Sequence, residues 1–357
     1  MINWGIIGCG SVTEVKSGPA FNKVKNSSLI AVMRRNLSLA EDYARRHNVS
    51  KVYSDASDLI NDKDINAVYV ATPPGSHAEY AIASIKAGKP VYIEKPMAVN
   101  YSECLKINTA SQKYKVPVFV AYYRRALPGF LKIKDLIETG SIGKVLIIQT
   151  QLFKSPSEDE KSGRLSWRVD PEISGGGHFF DLACHQLDYF DYLFGPVQKV
   201  KSIALNHGGL YKAEDFVTTE LLFPNDIAGS GTWCFSASCE SNRDSIEIIG
   251  EKGSIRFSTF SFEPIVLTNE SGRQEFINER PENVQYYLIE KIVQTLEGKG
   301  TSPSTGISGA RTSKIMDEIV AEYYKDKRQK SKRSEDPEPK PRAQRRGSVG
   351  YKDKSKT

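Results

Sequence analysis

Asp181 and His185 stand four residues apart in the run Gly175-Gly176-Gly177-His178-Phe179-Phe180-Asp181-Leu182-Ala183-Cys184-His185-Gln186-Leu187-Asp188, and Asp188 follows three later. On a helix this spacing projects all three from one face, which is polar in an otherwise apolar helix. An imidazole titrates near neutrality, so His185 can exchange a proton with a reacting oxygen, and a carboxylate beside it would orient it and favour its charged form. Asp181 is the expected orienter. The same pattern also serves a core histidine satisfied by a helical neighbour. It does not suit a metal, because an Asp/His pair lacks the three or four clustered ligands zinc requires.

A second candidate is Lys95, in Glu94-Lys95-Pro96, which closes the apolar run Pro90-Val91-Tyr92-Ile93. A lysine at the carboxyl end of a strand in an open parallel sheet lies over the crevice where such sheets bind ligands. Far upstream, Gly8-x-Gly10-x-x-Thr13 follows a first strand and precedes a helix, with Ser11 and Val12 in the turn. In that context glycines let backbone amides approach a pyrophosphate. Thr13 replaces the Gly or Ala that usually permits close helix packing, so the fingerprint is incomplete. After the second strand comes Met33-Arg34-Arg35-Asn36, where an NAD enzyme places an acid on the ribose hydroxyls. Arg34 and Arg35 suit a 2′-phosphate instead, through paired charge-assisted hydrogen bonds. NADP(H) is the expected cofactor, with NAD(H) the alternative.

The elements that must position these residues are legible in outline. Up to Ala121 short apolar strands alternate with amphipathic helical stretches, ending in Val91-Glu94, Ser102-Tyr114 and Val118-Ala121. That alternation predicts an α/β fold with a parallel sheet, a Rossmann dinucleotide-binding domain over residues 1–122. Beyond it, strand-like runs at Val145-Phe153, Val197-Leu205, Phe216-Phe223, Gly229-Ala237, Ser245-Ile249 and Ser254-Phe257 predict an open, largely antiparallel sheet. Helices at 177–194, 284–296 and 309–324 complete an α+β domain over 123–325, expected to bind substrate and mediate oligomerisation. An uncovered sheet with apolar alternation would need a partner, so a homodimer or homotetramer is expected. Tyr122, Tyr123, Arg124 and Arg125 follow the last parallel strand, and Trp167-Arg168 precede the triglycine run. Tyr122, Arg125, Trp167 and Arg168 are thereby candidate substrate contacts, although the same residue types also suit a domain interface.

Composition restricts the remaining classes. The 357 residues are 39% hydrophobic, and no apolar run approaches the ~20 residues of a membrane helix. Ile2–Ile7 reads as a first strand and not as a signal peptide, so a cytoplasmic protein is expected. Five scattered cysteines without a Cys-x-x-Cys pair fit neither a disulfide framework nor a zinc site. The net charge of +6 would suggest nucleic acid, but 13 of the 49 basic and only 5 of the 43 acidic residues lie from Lys325 onward. The body is thus slightly acidic and no nucleic-acid partner is expected. Residues 326–357, basic and carrying Pro337, Pro339 and Pro341, read as a disordered tail, with Arg345-Arg346-Gly347-Ser348-Val349 suited to a basophilic kinase.

The order of these motifs resembles the Gfo/Idh/MocA family of glucose-fructose oxidoreductase, inositol dehydrogenase and rhizopine catabolism proteins. The likeness extends over residues 1 to about 325. It includes Ala71-Thr72-Pro73-Pro74-Gly75-Ser76-His77, Ala87-Gly88-Lys89-Pro90-Val91-Tyr92-Ile93-Glu94-Lys95-Pro96, Gly140-Ser141-Ile142-Gly143-Lys144-Val145 and Asp181-x-x-x-His185-x-x-Asp188. It implies that Lys95 contacts substrate and nicotinamide ribose, that His185 is the acid/base assisted by Asp181, and that Thr72, Pro73, His77 and Glu94 border the cofactor. Within the family the strand-two arginines look most like those of NADP-dependent anhydrofructose reductases. Thr13, Glu14-x-Lys16 and His178 depart from the pattern. The expected activity is hydride transfer between nicotinamide and a carbonyl or hydroxyl carbon of a sugar, anhydro-sugar or polyol, with Lys95 stabilising the oxyanion. Two other uses of the same scaffold are a nicotinamide-dependent glycosidase that recycles its bound cofactor and a non-catalytic cofactor-sensing regulator.

Overall fold

The computed structural model describes residues 1–335. Six strands, β1 (Ile2–Ile7), β2 (Ser27–Met33), β3 (Lys51–Tyr53), β4 (Ala67–Val70), β5 (Val91–Ile93) and β6 (Val118–Val120), form a parallel sheet in the order β3-β2-β1-β4-β5-β6. Every residue of β4, β5 and β6 is buried, as a sheet with helices on both faces demands. The strand order reverses beside β1, so the carboxyl ends of β1 and β4 open a crevice there.

Gly8 forms the turn after β1 with φ +93°, a conformation that side chains other than glycine's rarely tolerate, and a Cβ there would fall 2.7 Å from Thr72 Cγ2. The turn therefore closes tightly against the loop after β4. Thr13, buried, donates from its hydroxyl to Gly10 O at 2.8 Å and accepts from Tyr43 Oη at its carbonyl at 2.9 Å. The close approach normally made by a third small residue is made by Gly18, where a Cβ would lie 2.2 Å from Tyr43 Oη. The incomplete fingerprint is thus completed five positions later.

A second sheet holds eight strands: β7 (Val145–Phe153), β8 (Lys199–Leu205), β9 (Phe216–Leu222), β10 (Ala228–Cys234), β11 (Arg243–Gly250), β12 (Gly253–Phe257), β13 (Ile265–Asn269) and β14 (Gly272–Phe276). Their order is β14-β13-β12-β11-β7-β10-β9-β8, antiparallel throughout except for the parallel β7–β10 pair. The strand-like runs read from the sequence stop short of β13 and β14: β13 is a short apolar run, Ile265-Val266-Leu267, and β14 is an exposed, charged edge without apolar alternation. Helices cover one face. Trp233 Nε1 donates to Gln186 Oε1 at 2.6 Å, seating the helix Cys184–Phe194 beneath β10, and Ser202 Oγ donates to Ile319 O at 2.7 Å, seating the helix Gly306–Glu335 beneath β8.

The opposite face corrects one expectation. Its central rows, read across the register, are Lys201, Glu220, Ser230, Gln149, Glu247 and Arg256, then Ile203, Thr218, Thr232, Gln151 and Ser245. The middle is polar, and apolar residues gather in two flanking rows, Leu222, Ala228, Ile147 and Ile249 on one side and Leu205, Phe216, Cys234 and Phe153 on the other.

The two sheets are tied together below the crevice. Asn283 Nδ2 donates to Val15 O at 2.6 Å, Gln285 N to Lys16 O at 3.1 Å, and Ser304 Oγ to Val120 O at 2.7 Å. The compact unit ends at Tyr323, beside the expected boundary at 325, and the last helix runs on to Glu335. The rest of the expected tail, including the Arg345-Arg346 segment, lies outside the described residues. No described helix is long and apolar enough to cross a membrane.

Candidate active site

A cavity of about 910 Å³ follows the crevice. One end is walled by Arg34, Arg35 and Asn36, the middle by Gly8, Gly10, Ser11, Val12, Thr72 and Pro73, and the other end by Glu94, Lys95, Asp181, His185, Trp167 and Arg168. Two distant sequence regions meet at this last end because the triglycine segment carries the following helix up to the strand termini; Gly177 N is held by Glu214 Oε1 at 2.9 Å.

Lys95 leaves β5 just after Glu94 N has bonded Val70 O at 2.8 Å. Its Nζ donates to Asp181 Oδ1 at 2.5 Å and to the Asp181 carbonyl at 2.7 Å. Asp181 lies on a π-helical turn, Phe179–Ala183, whose wider winding breaks the simple four-residue stacking on which the sequence reading relied. Asp181 consequently orients Lys95 and not His185, with Arg168 Nε 3.4 Å from its other oxygen. Burial opposes ionisation of Asp181, but the Lys95 charge and hydrogen bond outweigh it and hold the carboxyl down at about 2. Burial likewise opposes charging Lys95, and Asp181 overcomes it and raises the ammonium above its ordinary range.

His185 is buried among rings, with centroids of Tyr123, Phe260 and Tyr122 at 5.3, 5.9 and 6.1 Å. Its Nδ1 has no hydrogen-bond partner among the described residues. Burial first, then the charges of Arg124, Lys95 and Lys16, push the imidazole well below its ordinary 6.5. The expectation of a carboxylate-favoured imidazolium is therefore reversed: this histidine is a neutral imidazole held beside cations.

Glu94 accepts from Tyr69 Oη at 2.5 Å, from Gln285 Nε2 at 2.6 Å and from Lys95 N at 3.1 Å, so it braces the strand end that carries Lys95. Trp167 and Arg168 stack on one another at 4.5 Å and line the cavity, as the sequence predicts.

Other sequence candidates lie elsewhere. His77 is fully buried with its ring nitrogens 2.7 Å from Thr72 O and 3.0 Å from Pro96 O; it clamps two loops from behind and is not in the cavity wall. Tyr122 and Arg125 are also buried outside it. They stand three apart about the 3-10 turn Tyr123–Ala126, a spacing that shares one face, and that face is turned into the protein. Arg125 bonds both oxygens of Asp188 at 2.8 Å and Asp191 at 3.0 Å, and Arg311 reaches Asp191 at 2.7 Å. Asp188 is thereby a structural partner, not part of the proton-transfer face. Tyr123, from the aromatic-arginine cluster after the last parallel strand, lines the cavity in place of Tyr122 and Arg125, and Phe260, Gln285 and Lys16 line it without having been chosen as site residues. Phe260 and Gln285 carry no motif, whereas Lys16 had shown itself as a departure from the family pattern.

The residues fit a dinucleotide: a cleft with a glycine turn at its waist, cations at one end, and an unpartnered imidazole nitrogen at the other. Family models bear on this directly. Residues 2–122 match an oxidoreductase family with an NAD-binding Rossmann fold, and residues 130–256 match the GFO/IDH/MocA C-terminal domain. The chain belongs to the Gfo/Idh/MocA family. Among similar proteins, the one named oxidoreductase P35 of Formosa agariphila is 42% identical over 317 residues, covering 88% of this chain and 97% of its own. Levoglucosan dehydrogenase of Pseudarthrobacter phenanthrenivorans is 32% identical over 250 residues, 64% of each chain. A solved levoglucosan dehydrogenase in complex with NADH matches with a TM-score of 0.82 at 26% identity, covering 91% of this chain and 97% of that one. The protein is accordingly an oxidoreductase with an NAD-binding Rossmann domain and the mixed sheet domain of its family.

Proposed function

We propose that this Gfo/Idh/MocA member oxidises a carbinol of a sugar, anhydro-sugar or polyol with NADP(H) as preferred cofactor. The observation that carries the reading is one cavity holding Arg34 and Arg35 at one end and Lys95, Asp181 and His185 at the other. Gly8, Gly10, Ser11, Val12, Thr72 and Pro73 would hold the dinucleotide between them. The nicotinamide, when bound, supplies hydride chemistry. Lys95, kept charged by Asp181, stabilises negative charge developing on the substrate oxygen. His185, kept neutral by burial and neighbouring cations, takes the hydroxyl proton as the carbonyl forms. Trp167 offers an aromatic face, and Arg168 hydrogen-bond donors, to the sugar.

Arg34 and Arg35 have no acidic partner among the described residues, which leaves both free for a 2′-phosphate. Charge-assisted hydrogen bonds of ~1.5–3 kcal/mol correspond to roughly ten- to a hundredfold preference for the phosphorylated cofactor. Titrating NADPH and NADH by fluorescence into wild type and Arg34→Asp tests this: the wild type should bind NADPH tighter and the variant should reverse the order. Equal wild-type affinities would reduce the arginines to surface charge. Turnover of NADP with a panel of polyols and anhydro-sugars, absent in His185→Ala, tests the reaction.

A further inference from the structure

The catalytic end of the cleft is more positive than hydride transfer on a neutral sugar requires. Two carboxylates, Asp181 and Glu94, stand there against four cations: Lys95 pairs with Asp181, which also faces Arg168, and Glu94 is taken up by Tyr69, Gln285 and the Lys95 amide. No such balance exists for Lys16, which lines the same cavity and has no acidic partner among the described residues. Arg124 lies immediately behind the wall, 2% exposed, between the rings of Tyr123 at 4.9 Å and Phe260 at 4.6 Å, both of which line the cavity. Its Nε and Nη2 donate to the carbonyl of Thr259 at 3.0 and 2.8 Å, and among the described residues its Nη1 has no partner and no carboxylate pairs with it. Lys154 Nζ stands 5.9 Å from the centroid of the Phe260 ring.

Burying a guanidinium without a counter-ion is unfavourable, so a site that retains one gains from an anion that arrives with the ligand. The cofactor phosphates do not account for these cations. The adenosine end has Arg34 and Arg35, whereas the fields of Lys16, Lys95 and Arg124 all fall on His185, at the opposite end. Arg168 adds a planar fork, held against Trp167 and only loosely engaged by Asp181 at 3.4 Å, and such a fork matches a carboxylate in two parallel hydrogen bonds.

Resting on the sugar-oxidoreductase reading above, we propose that the substrate is an acidic sugar, a uronate or aldonate, whose carboxylate is bound by Lys16 and Arg168 at the catalytic end of the cleft. Arg124 supplies an uncompensated positive field from behind the aromatic wall. The charge selects the substrate and its neutral hydroxyl carbon still reacts: the carbinol C–H leaves as hydride to the nicotinamide, its O–H proton passes to His185, and the carboxylate is unchanged.

The test uses matched pairs that differ only in the acid group, D-glucuronate with D-glucose, D-galacturonate with D-galactose, and D-gluconate with D-glucitol, together with D-glucose 6-phosphate. The acidic member of at least one pair should exceed its neutral partner by tenfold or more in kcat/KM. That ratio should fall by tenfold or more in Lys16→Gln and in Arg168→Gln, and should not fall in Lys113→Gln on a remote helix. Calorimetric titration of the same pairs into the cofactor-bound protein reads the charge preference without turnover, so it separates this proposal from the reaction itself. Hydride transfer with neutral sugars equal to or better than with acids would overturn the acidic substrate while leaving the oxidoreductase reading intact. A preference for the sugar phosphate over the uronate would overturn the carboxylate assignment. Loss of cofactor affinity in Lys16→Gln with an unchanged acid-to-neutral ratio would place that lysine on the dinucleotide and overturn its role here. Should no sugar turn over, tighter binding of the acids still supports the charge selection and binding of neither class overturns it.

Discussion

Lys95 Nζ makes two hydrogen bonds to the same residue, to the Oδ1 of Asp181 at 2.5 Å and to its main-chain carbonyl at 2.7 Å. The ammonium is thereby fixed by a side chain and by the π-turn backbone together, and its charge is secured from the helix of one domain while its Cα belongs to a strand end of the other.

Replacing Asp181 with Asn should leave the carbonyl contact but remove the counter-charge. The lost charge-assisted bond of ~1.5–3 kcal/mol predicts a fall in kcat of roughly ten- to a hundredfold, with cofactor affinity retained. Lys95→Met should cost more, on the order of 10²–10³-fold, as loss of an oxyanion donor does. Steady-state rates and cofactor titration measure both; near-native kcat in Lys95→Met would end the catalytic assignment. The pH sign follows from the depressed Asp181 carboxyl. Its stabilisation is present above its ordinary 3.8 and is lost as pH falls through about 2.

For His185 the sign concerns an imidazole whose native value lies well below the ordinary 6.5. Below pH 6.5 the unfolded chain binds a proton that the native state does not, so this group lowers stability as pH falls, by up to about 1.4 kcal/mol per pH unit. Urea midpoints measured from pH 7.5 to 5 should fall more steeply in wild type than in His185→Gln. Oxidation should also lack an acid limb near 6.5 in kcat/KM. A His185 ring-proton NMR titration centred near 6.5 would contradict both.

Arg125 was a substrate candidate by sequence, and its geometry makes the opposite prediction. Arg125→Met leaves Asp188 and Asp191 buried without their common partner, which should cost about 3–5 kcal/mol of stability. Thermal or urea unfolding should show the loss, while KM changes little in the fraction that remains folded. A raised KM at unchanged stability would restore the substrate role.

The helix-free face of the second sheet is expected to meet a second copy of the chain, giving a homodimer or a homotetramer. Its apolar rows, Leu222, Ala228, Ile147 and Ile249 on one flank and Leu205, Phe216, Cys234 and Phe153 on the other, border polar rows that can pair across a two-fold axis. Light scattering should report a dimer or larger species in wild type and a smaller one in Ile147→Arg, with NADPH binding preserved. A wild type that is monomeric at working concentration would refute this arrangement.

Sequence alone determined what local patterns encode. Fully apolar strands between amphipathic helices require a covered parallel sheet, Gly8 and Gly10 mark its first turn, and a lysine directly after β5 must stand at the crevice. The residues proposed to act in catalysis and the arginines of strand two could be picked out for a related reason, since Lys95, Arg34 and Arg35 follow strand ends and Asp181 and His185 follow the triglycine run. Relations between elements were decided only in three dimensions. The π-turn moved Asp181 from His185 to Lys95, because a change in helical winding leaves no mark in residue spacing. The 3-10 turn turned Tyr122 and Arg125 inward and Tyr123 toward the cavity. Gln285 and Phe260 reached the site from the second domain without any motif, and the neutral state of His185 came from burial and from three cations scattered along the chain. Desolvation and electrostatic fields depend on distance in space, and that distance exists only once the chain has folded.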